Sequence, residues 1–146
     1  MALLFGFKGK KNLSGVMMKE LGQDYCLLTN SFGGVKRDID AVEGAYDSAV
    51  LFGVDKNLGG AVRIEGTAEK DGVRCSSVLD LEEIADGFRK AGLEAAVSGN
   101  PTAYLCNEAY WHLLRKFGGR AVLIHIPTMK NADETFAKKV RQALSF

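Results

Sequence analysis

Two histidines and three cysteines are all that this chain of 146 residues offers for building a metal centre or a disulfide scaffold. The histidines, His112 and His125, do not stand in an HxxxH pattern, and no CxxC pair occurs. A zinc-type site therefore has no signature, and no cofactor is expected. Cys26, Cys75 and Cys106 are odd in number and lack paired spacing. Free thiols in a reducing, cytoplasmic compartment fit this better than a disulfide framework. Charge of one sign is lacking too: 19 basic and 18 acidic side chains leave a formal net charge of +1. That balance gives no electrostatic case for nucleic acid or an anionic membrane. Long apolar runs are missing, since Leu3-Leu4-Phe5 is far too short for a signal-peptide core or a membrane span. Gly9-Lys10 lacks the frame of a P-loop and reads as a solvated basic loop. No internal repeat, low-complexity segment or linker divides the chain.

What is present is ordinary in amount, with 47% hydrophobic and 25% charged residues. A chain of this length forms one domain, residues 1–146, and buries roughly two-thirds of its unfolded surface without metal or disulfide. Apolar runs predict strands at Ala2–Phe7, Tyr25–Thr29, Ser48–Val54, Ala95–Ser98 and Ala121–Ile126, and alternation predicts a half-exposed one at Ala61–Thr67. Helical spacing marks Leu13–Leu21, Asp80–Ala91, a stretch from about Ala103, and Ala132–Leu144, with a short helix somewhere in Val35–Tyr46. Glu69–Ser77 reads as a polar loop. Strands alternating with helices imply a three-layer α/β/α sandwich around a mostly parallel or mixed sheet. Runs such as AVLFGV and AVLIHI imply strands covered on both faces.

The chain is organised around Ala95–Pro127: strand, Gly-Asn-Pro-Thr turn, helix, Gly118-Gly119 break, strand. Cys106 falls near the start of the helix and His125 near the carboxyl end of the last strand, where open α/β sheets gather function. A helix N-terminus and a nearby imidazolium would lower the thiol pKa from about 8.5 toward neutrality. A carboxylate usually orients such a base, and Glu65, late in its own strand, could reach the same edge. Two alternatives stand beside this reading. A lone cysteine on a helix is often a small buried hydrophobe. Asn100-Pro101 is also a good N-cap and first-turn pair, and a helix starting there would carry Cys106 into its second turn. His112, six residues on and about 240° round the helix, cannot face the thiol, nor can Glu108. Tyr110 and Trp111 read as core packing, with a homo-oligomer contact as the other reading. Cys26 and Cys75 read as core residue and bystander.

The stretch S-G-N-P-T-A-Y-L-C-N from Ser98, followed by R-A-V-L-I-H-I-P ending at Pro127, resembles pyroglutamyl peptidase I, a family of cysteine peptidases that remove N-terminal pyroglutamate. V-R-I-E-G-T, from Val62 to Thr67, resembles that family's strand bearing the catalytic glutamate, and the opening F-G-F-K-G-K-K-N-L-S resembles its N-terminus. The resemblance implies a phosphorylase/hydrolase-like fold, Cys106 as nucleophile, His125 as general base and acid, and Glu65 as third member. It implies Phe7, Asn12, Tyr104 and Leu105 near a peptide or cyclic amide substrate. This chain is shorter than the family's members, mainly between Glu65 and Asp80, and Pro101-Thr102 stands where they have Ala-Gly. An amidase of different preference and a non-catalytic binding protein on the same fold are therefore the alternatives.

Overall fold

Segments that are apolar throughout need cover on both faces, and that requirement sets the architecture of this protein. The structure, a computed structural model, describes residues 1–144. In chain order it contains β1 (Ala2–Phe7), α1 (Leu13–Val16), a 3₁₀ turn (Met18–Glu20), β2 (Tyr25–Leu28), α2 (Phe32–Asp40), β3 (Ser48–Val54) and β4 (Val62–Glu65). There follow β5 (Thr67–Lys70), β6 (Val73–Ser76), α3 (Leu81–Lys90), β7 (Ala95–Ser98), α4 (Tyr104–Lys116), β8 (Ala121–Ile126) and α5 (Phe136–Ala143).

Six strands form one mixed sheet in the order β2-β1-β3-β8-β4-β7. All neighbours are parallel except β4, which runs antiparallel to β8. Side chains alternate between faces along each strand. Leu4, Val50, Phe52, Val122 and Ile124 thus enter a core with Phe88 of α3 and Phe136 and Val140 of α5. Leu3, Phe5, Ala49, Leu51 and Leu123 enter a second core with Val35 and Ile39 of α2 and Ala109, Tyr110 and Leu113 of α4. This is the expected single-domain α/β sandwich. Among the described residues no helix is long and apolar enough to cross a membrane.

Two segments depart from the sequence-based reading. Leu13–Leu21 is a one-turn helix and a 3₁₀ turn, because α1 lies close against β1. Ser14 Oγ accepts from Phe7 N at 3.0 Å in this buried contact. Glu69–Ser77, read as a loop, belongs mostly to the β5–β6 hairpin. Its turn uses Asp71 and Gly72 at φ of 52° and 77°, the positive pair that a two-residue hairpin turn favours. The hairpin docks on α4: Asn107 accepts from Glu69 N at 3.0 Å and donates to Glu69 O at 2.7 Å.

The α1–β1 approach generates a stability prediction. A Cβ at Gly6 would lie 2.2 Å from the Ser14 backbone oxygen, with no flexible side chain to yield. Gly6→Ala should therefore lose about 1–3 kcal/mol or more, as overpacking does, and thermal unfolding would register a lower midpoint. An unchanged midpoint would show that α1 can move away from the sheet at little cost.

Candidate active site

The antiparallel turn of β4 brings the site together. β3 and β8 are parallel, and Gly53 lies beside His125 in their register. β4 runs the other way, with Arg63 opposite His125 and Glu65 opposite Leu123. The carboxyl end of β4 therefore points away from the edge that holds His125, and Glu65 reaches the imidazole along the sheet from below. Leu123 and His125, two apart on β8, share a face, as do Arg63 and Glu65 on β4. That face is the one α4 covers.

α4 opens at Tyr104, so Cys106 sits in its first turn. The tension over the helix start is thereby resolved in favour of the later opening. Ala103 is the N-cap and makes no side-chain capping bond. Tyr104 holds φ of 65° and is 85% exposed, a left-handed conformation that is uncommon for a non-glycine residue. The absence of a Cβ at Gly53 makes room for the thiol. A methyl built there would meet Cys106 Sγ at 2.6 Å and His125 Nε2 at 3.5 Å. Thiol and imidazole share the space above one glycine.

Behind the imidazole, His125 Nδ1 lies 2.8 Å from Glu65 Oε2. Arg63 Nε donates to the same oxygen at 2.8 Å, and Arg63 Nη2 donates to Asp55 Oδ2 at 2.7 Å. Glu65 is fully buried. Burial alone would raise its pKa, but hydrogen bonds from His125 and Arg63 and the guanidinium charge outweigh burial and hold it below the usual carboxylate range. Asp55 is lowered in the same way, burial being outweighed by the Asn57 N–H and by Arg63. Cys106 departs from expectation. Burial, followed by the nearby carboxylates of Asp55 and Glu65, pushes its thiol up to about 11. Desolvation and two nearby negative charges thus favour the neutral form of the Cys106 thiol.

The thiol opens onto a cavity of about 770 Å³. Asp55, Lys56, Asn57 and Arg63 form one wall, and Asn100, Thr102, Tyr104 and Leu105 another. Tyr104 and Leu105 thus flank the cavity. Phe7 is buried in the α2–α4 core, and Asn12 caps α1, accepting from Ser14 N at 3.1 Å; neither is among the lining residues. His112 pairs with Glu108 at 2.8 Å, away from the thiol. Tyr110 is fully buried and donates to Glu65 O at 2.8 Å. Trp111 is packed between Lys70 and Arg115, 5.8 and 4.8 Å from its ring centroid. Sequence reasoning passed over Arg63 and Asp55. Arg63 carried a usable signal, since a residue two before Glu65 on a strand shares its face. Asp55 carried none.

No family model matches the chain. A curated pyrrolidone-carboxylate peptidase from Chromobacterium violaceum is 37% identical over 51 residues, and this chain spans only 24% of that relative's length and is itself 35% covered. Solved structures agree over far more of the fold. A variant pyrrolidone carboxyl peptidase from Pyrococcus furiosus superposes with a TM-score of 0.81 at 18% identity, covering 98% of this chain and 95% of that one. The Thermus thermophilus pyrrolidone carboxyl peptidase gives 0.75 at 17% identity, covering 99% and 98%. Pyroglutamyl peptidase I from Bacillus amyloliquefaciens gives 0.75 at 18%, covering 98% and 90%. The chain has the fold of these peptidases.

The neutral thiol sets a pH dependence. With its pKa raised to about 11, the thiolate fraction climbs about tenfold per pH unit below that value, and only the thiolate alkylates. The rate of iodoacetamide labelling at Cys106, followed by peptide mass mapping between pH 7 and 10, should rise accordingly. A rate already level at pH 7 would mean a preformed thiolate. Gly53→Ala should displace the thiol and slow labelling at every pH.

Proposed function

We propose that this protein is a cysteine hydrolase that cleaves the amide bond after an N-terminal pyroglutamyl residue, with Cys106 as nucleophile, His125 as base and acid, and Glu65 as the group that orients the imidazole. The observation that carries this reading is the 2.8 Å contact of His125 Nδ1 with the buried Glu65 carboxylate, made while Nε2 and the Cys106 thiol crowd the same glycine. The fold and the 51-residue likeness to a pyrrolidone-carboxylate peptidase support the choice of substrate. Free thiols at positions 26, 75 and 106 suit a reducing, cytoplasmic setting.

Because the resting thiol is neutral, the first step resembles serine more than preformed thiolate chemistry. The Cys106 proton passes to His125 Nε2 as Sγ bonds to the amide carbonyl carbon. The Glu65 carboxylate stabilises the imidazolium that forms. First-turn N–H groups of α4, which no side chain caps, and the Gly99–Ala103 turn suit the oxyanion. The imidazolium then protonates the departing amine, the C–N bond breaks, and a thioester remains. Water, deprotonated by His125, hydrolyses it and restores the thiol.

A second reading keeps the chemistry and changes the acyl group. It is favoured by the polar wall of Asp55, Lys56, Asn57 and Arg63 and by the absence of Phe7 from the lining. An amidase for a more polar acyl group would use such a wall.

Hydrolysis of a pyroglutamyl fluorogenic amide under reducing conditions tests the proposal. Cys106→Ala should lower kcat by about 10⁴-fold or more, and Glu65→Gln by about 10⁴-fold through loss of the correct tautomer, both with the fold retained by circular dichroism. Turnover that survives Cys106→Ala would remove this mechanism. Turnover of other small acyl amides in place of the pyroglutamyl one would favour the second reading.

A further inference from the structure

Arg63 lies directly across from His125 in the β4–β8 register, and the three-residue mechanism leaves it without a task. We propose that Arg63, held in place by Asp55, is a positioning residue: its guanidinium keeps the buried Glu65 side chain a carboxylate, and so keeps the His125 proton on Nδ1 with Nε2 free to face the thiol. Its catalytic consequence rests on the cysteine-hydrolase reading, while its structural content does not.

The Glu65 side chain is 1% exposed, and its Oε1 is buried without a hydrogen-bond partner. Its other oxygen, Oε2, takes both the Arg63 Nε–H and the imidazole at 2.8 Å. A buried carboxylate left half-satisfied stays ionised only beside a positive charge. The groups that surround it are few. Arg63 comes from β4, and Asp55, beyond it, from the loop after β3. His125 comes from β8, Cys106 and Tyr110 from α4, and Ser98 from β7. Tyr110 spends its hydroxyl on the Glu65 backbone oxygen. Lys56 stands exposed at the cavity rim. Among the described residues, Arg63 is therefore the one permanent cation that hydrogen-bonds to this carboxylate.

The protonation state of Glu65 decides which ring nitrogen carries hydrogen. A carboxylate can only accept, so the 2.8 Å contact requires a proton on Nδ1. A neutral Glu65 would donate its own O–H to Nδ1, and the ring proton would move to Nε2. The nitrogen facing the thiol would then have no lone pair to receive its proton. Arg63 Nη2, 3.3 Å from Nδ1, offers only hydrogens and cannot take the place of the carboxylate. Asp55 draws that same Nη2 at 2.7 Å, which fixes the guanidinium against Glu65 rather than toward solvent.

Long-range ¹H–¹⁵N correlation of the imidazole rings reads the tautomer without any need for turnover, and His112→Gln assigns the two histidines. Wild-type protein should show the Nδ1–H form of His125 at pH 7. Arg63→Gln should show the Nε2–H form there, which requires the tautomer change to move up by more than about 2.5 pH units, from below the ordinary carboxylate value to above pH 7, and Arg63→Lys should stay near wild type because the charge remains. Wild-type spectra in Arg63→Gln would overturn the proposal. Should that variant fail to fold, Asp55→Asn decides: a smaller upward shift supports the role and no shift overturns it. In hydrolysis, Arg63→Gln should lower kcat by about 10- to 100-fold with KM little changed. A loss confined to KM would make Arg63 a substrate-binding residue and overturn the positioning role. Wild-type protein that hydrolyses no amide would sink the peptidase reading, and the spectra would still decide the role of Arg63.

Discussion

A carboxylate buried beneath the sheet edge is the constraint on which this site depends. Glu65 cannot be hydrated, so its charge must be matched from within the protein. Arg63 and His125 supply that match from β4 and β8, and Asp55 ties the far side of the guanidinium to the loop after β3. Two strands and the loop after β3 are thereby joined by side chains at the point where the thiol of α4 meets the sheet. Removing one partner of such a pair leaves an uncompensated buried charge, at a cost of about 3–5 kcal/mol. The arrangement contributes orientation more than net stability, since a buried ion pair gains little over a well-packed apolar replacement.

The same charges explain why the thiol rests protonated. A helix start and a histidine favour thiolate, but Cys106 is largely desolvated and faces two carboxylates, one of them in hydrogen-bond contact with His125. Strengthening Glu65 as an acceptor for imidazole works against the thiolate nearby. The site therefore favours a neutral Cys106 thiol over a standing ion pair with His125. Phe7 and Asn12 lie outside the lining of its cavity. The cavity is walled by Asp55 to Asn57 and by the turn before α4, while the segment after Glu65 folds as a hairpin against the outer part of α4.

Much of the frame was legible because it follows from local rules. Ala2–Phe7, Ser48–Val54 and Ala121–Ile126 are apolar apart from Ser48 and His125, and each lies inside the sheet with helices on both sides. The helix from Leu81 and the one carrying Cys106 follow helical spacing. The β5–β6 hairpin was missed because its four-residue strands are polar on one side, which resembles a loop, although Asp71-Gly72 is a favoured hairpin turn. Leu13–Leu21 kept its spacing yet broke into short pieces, since close approach to Gly6 of β1 depends on a partner distant from the helix pattern.

The sequence by itself determined the sandwich, the placement of Cys106 on a helix and of His125 at a strand end, and the glutamate two residues beyond Arg63. These are consequences of periodicity and of chain order, which act over a few residues. Only the tertiary structure decided the direction of β4. Running against β8, it sets Arg63 opposite the histidine and lets Glu65 reach the ring from below. The same packing decided that Asp55 closes the chain of contacts and that the thiol is neutral. Strand direction, burial and the sum of nearby charges are properties of what lies across a sheet or under a helix, and no pattern along one segment contains them.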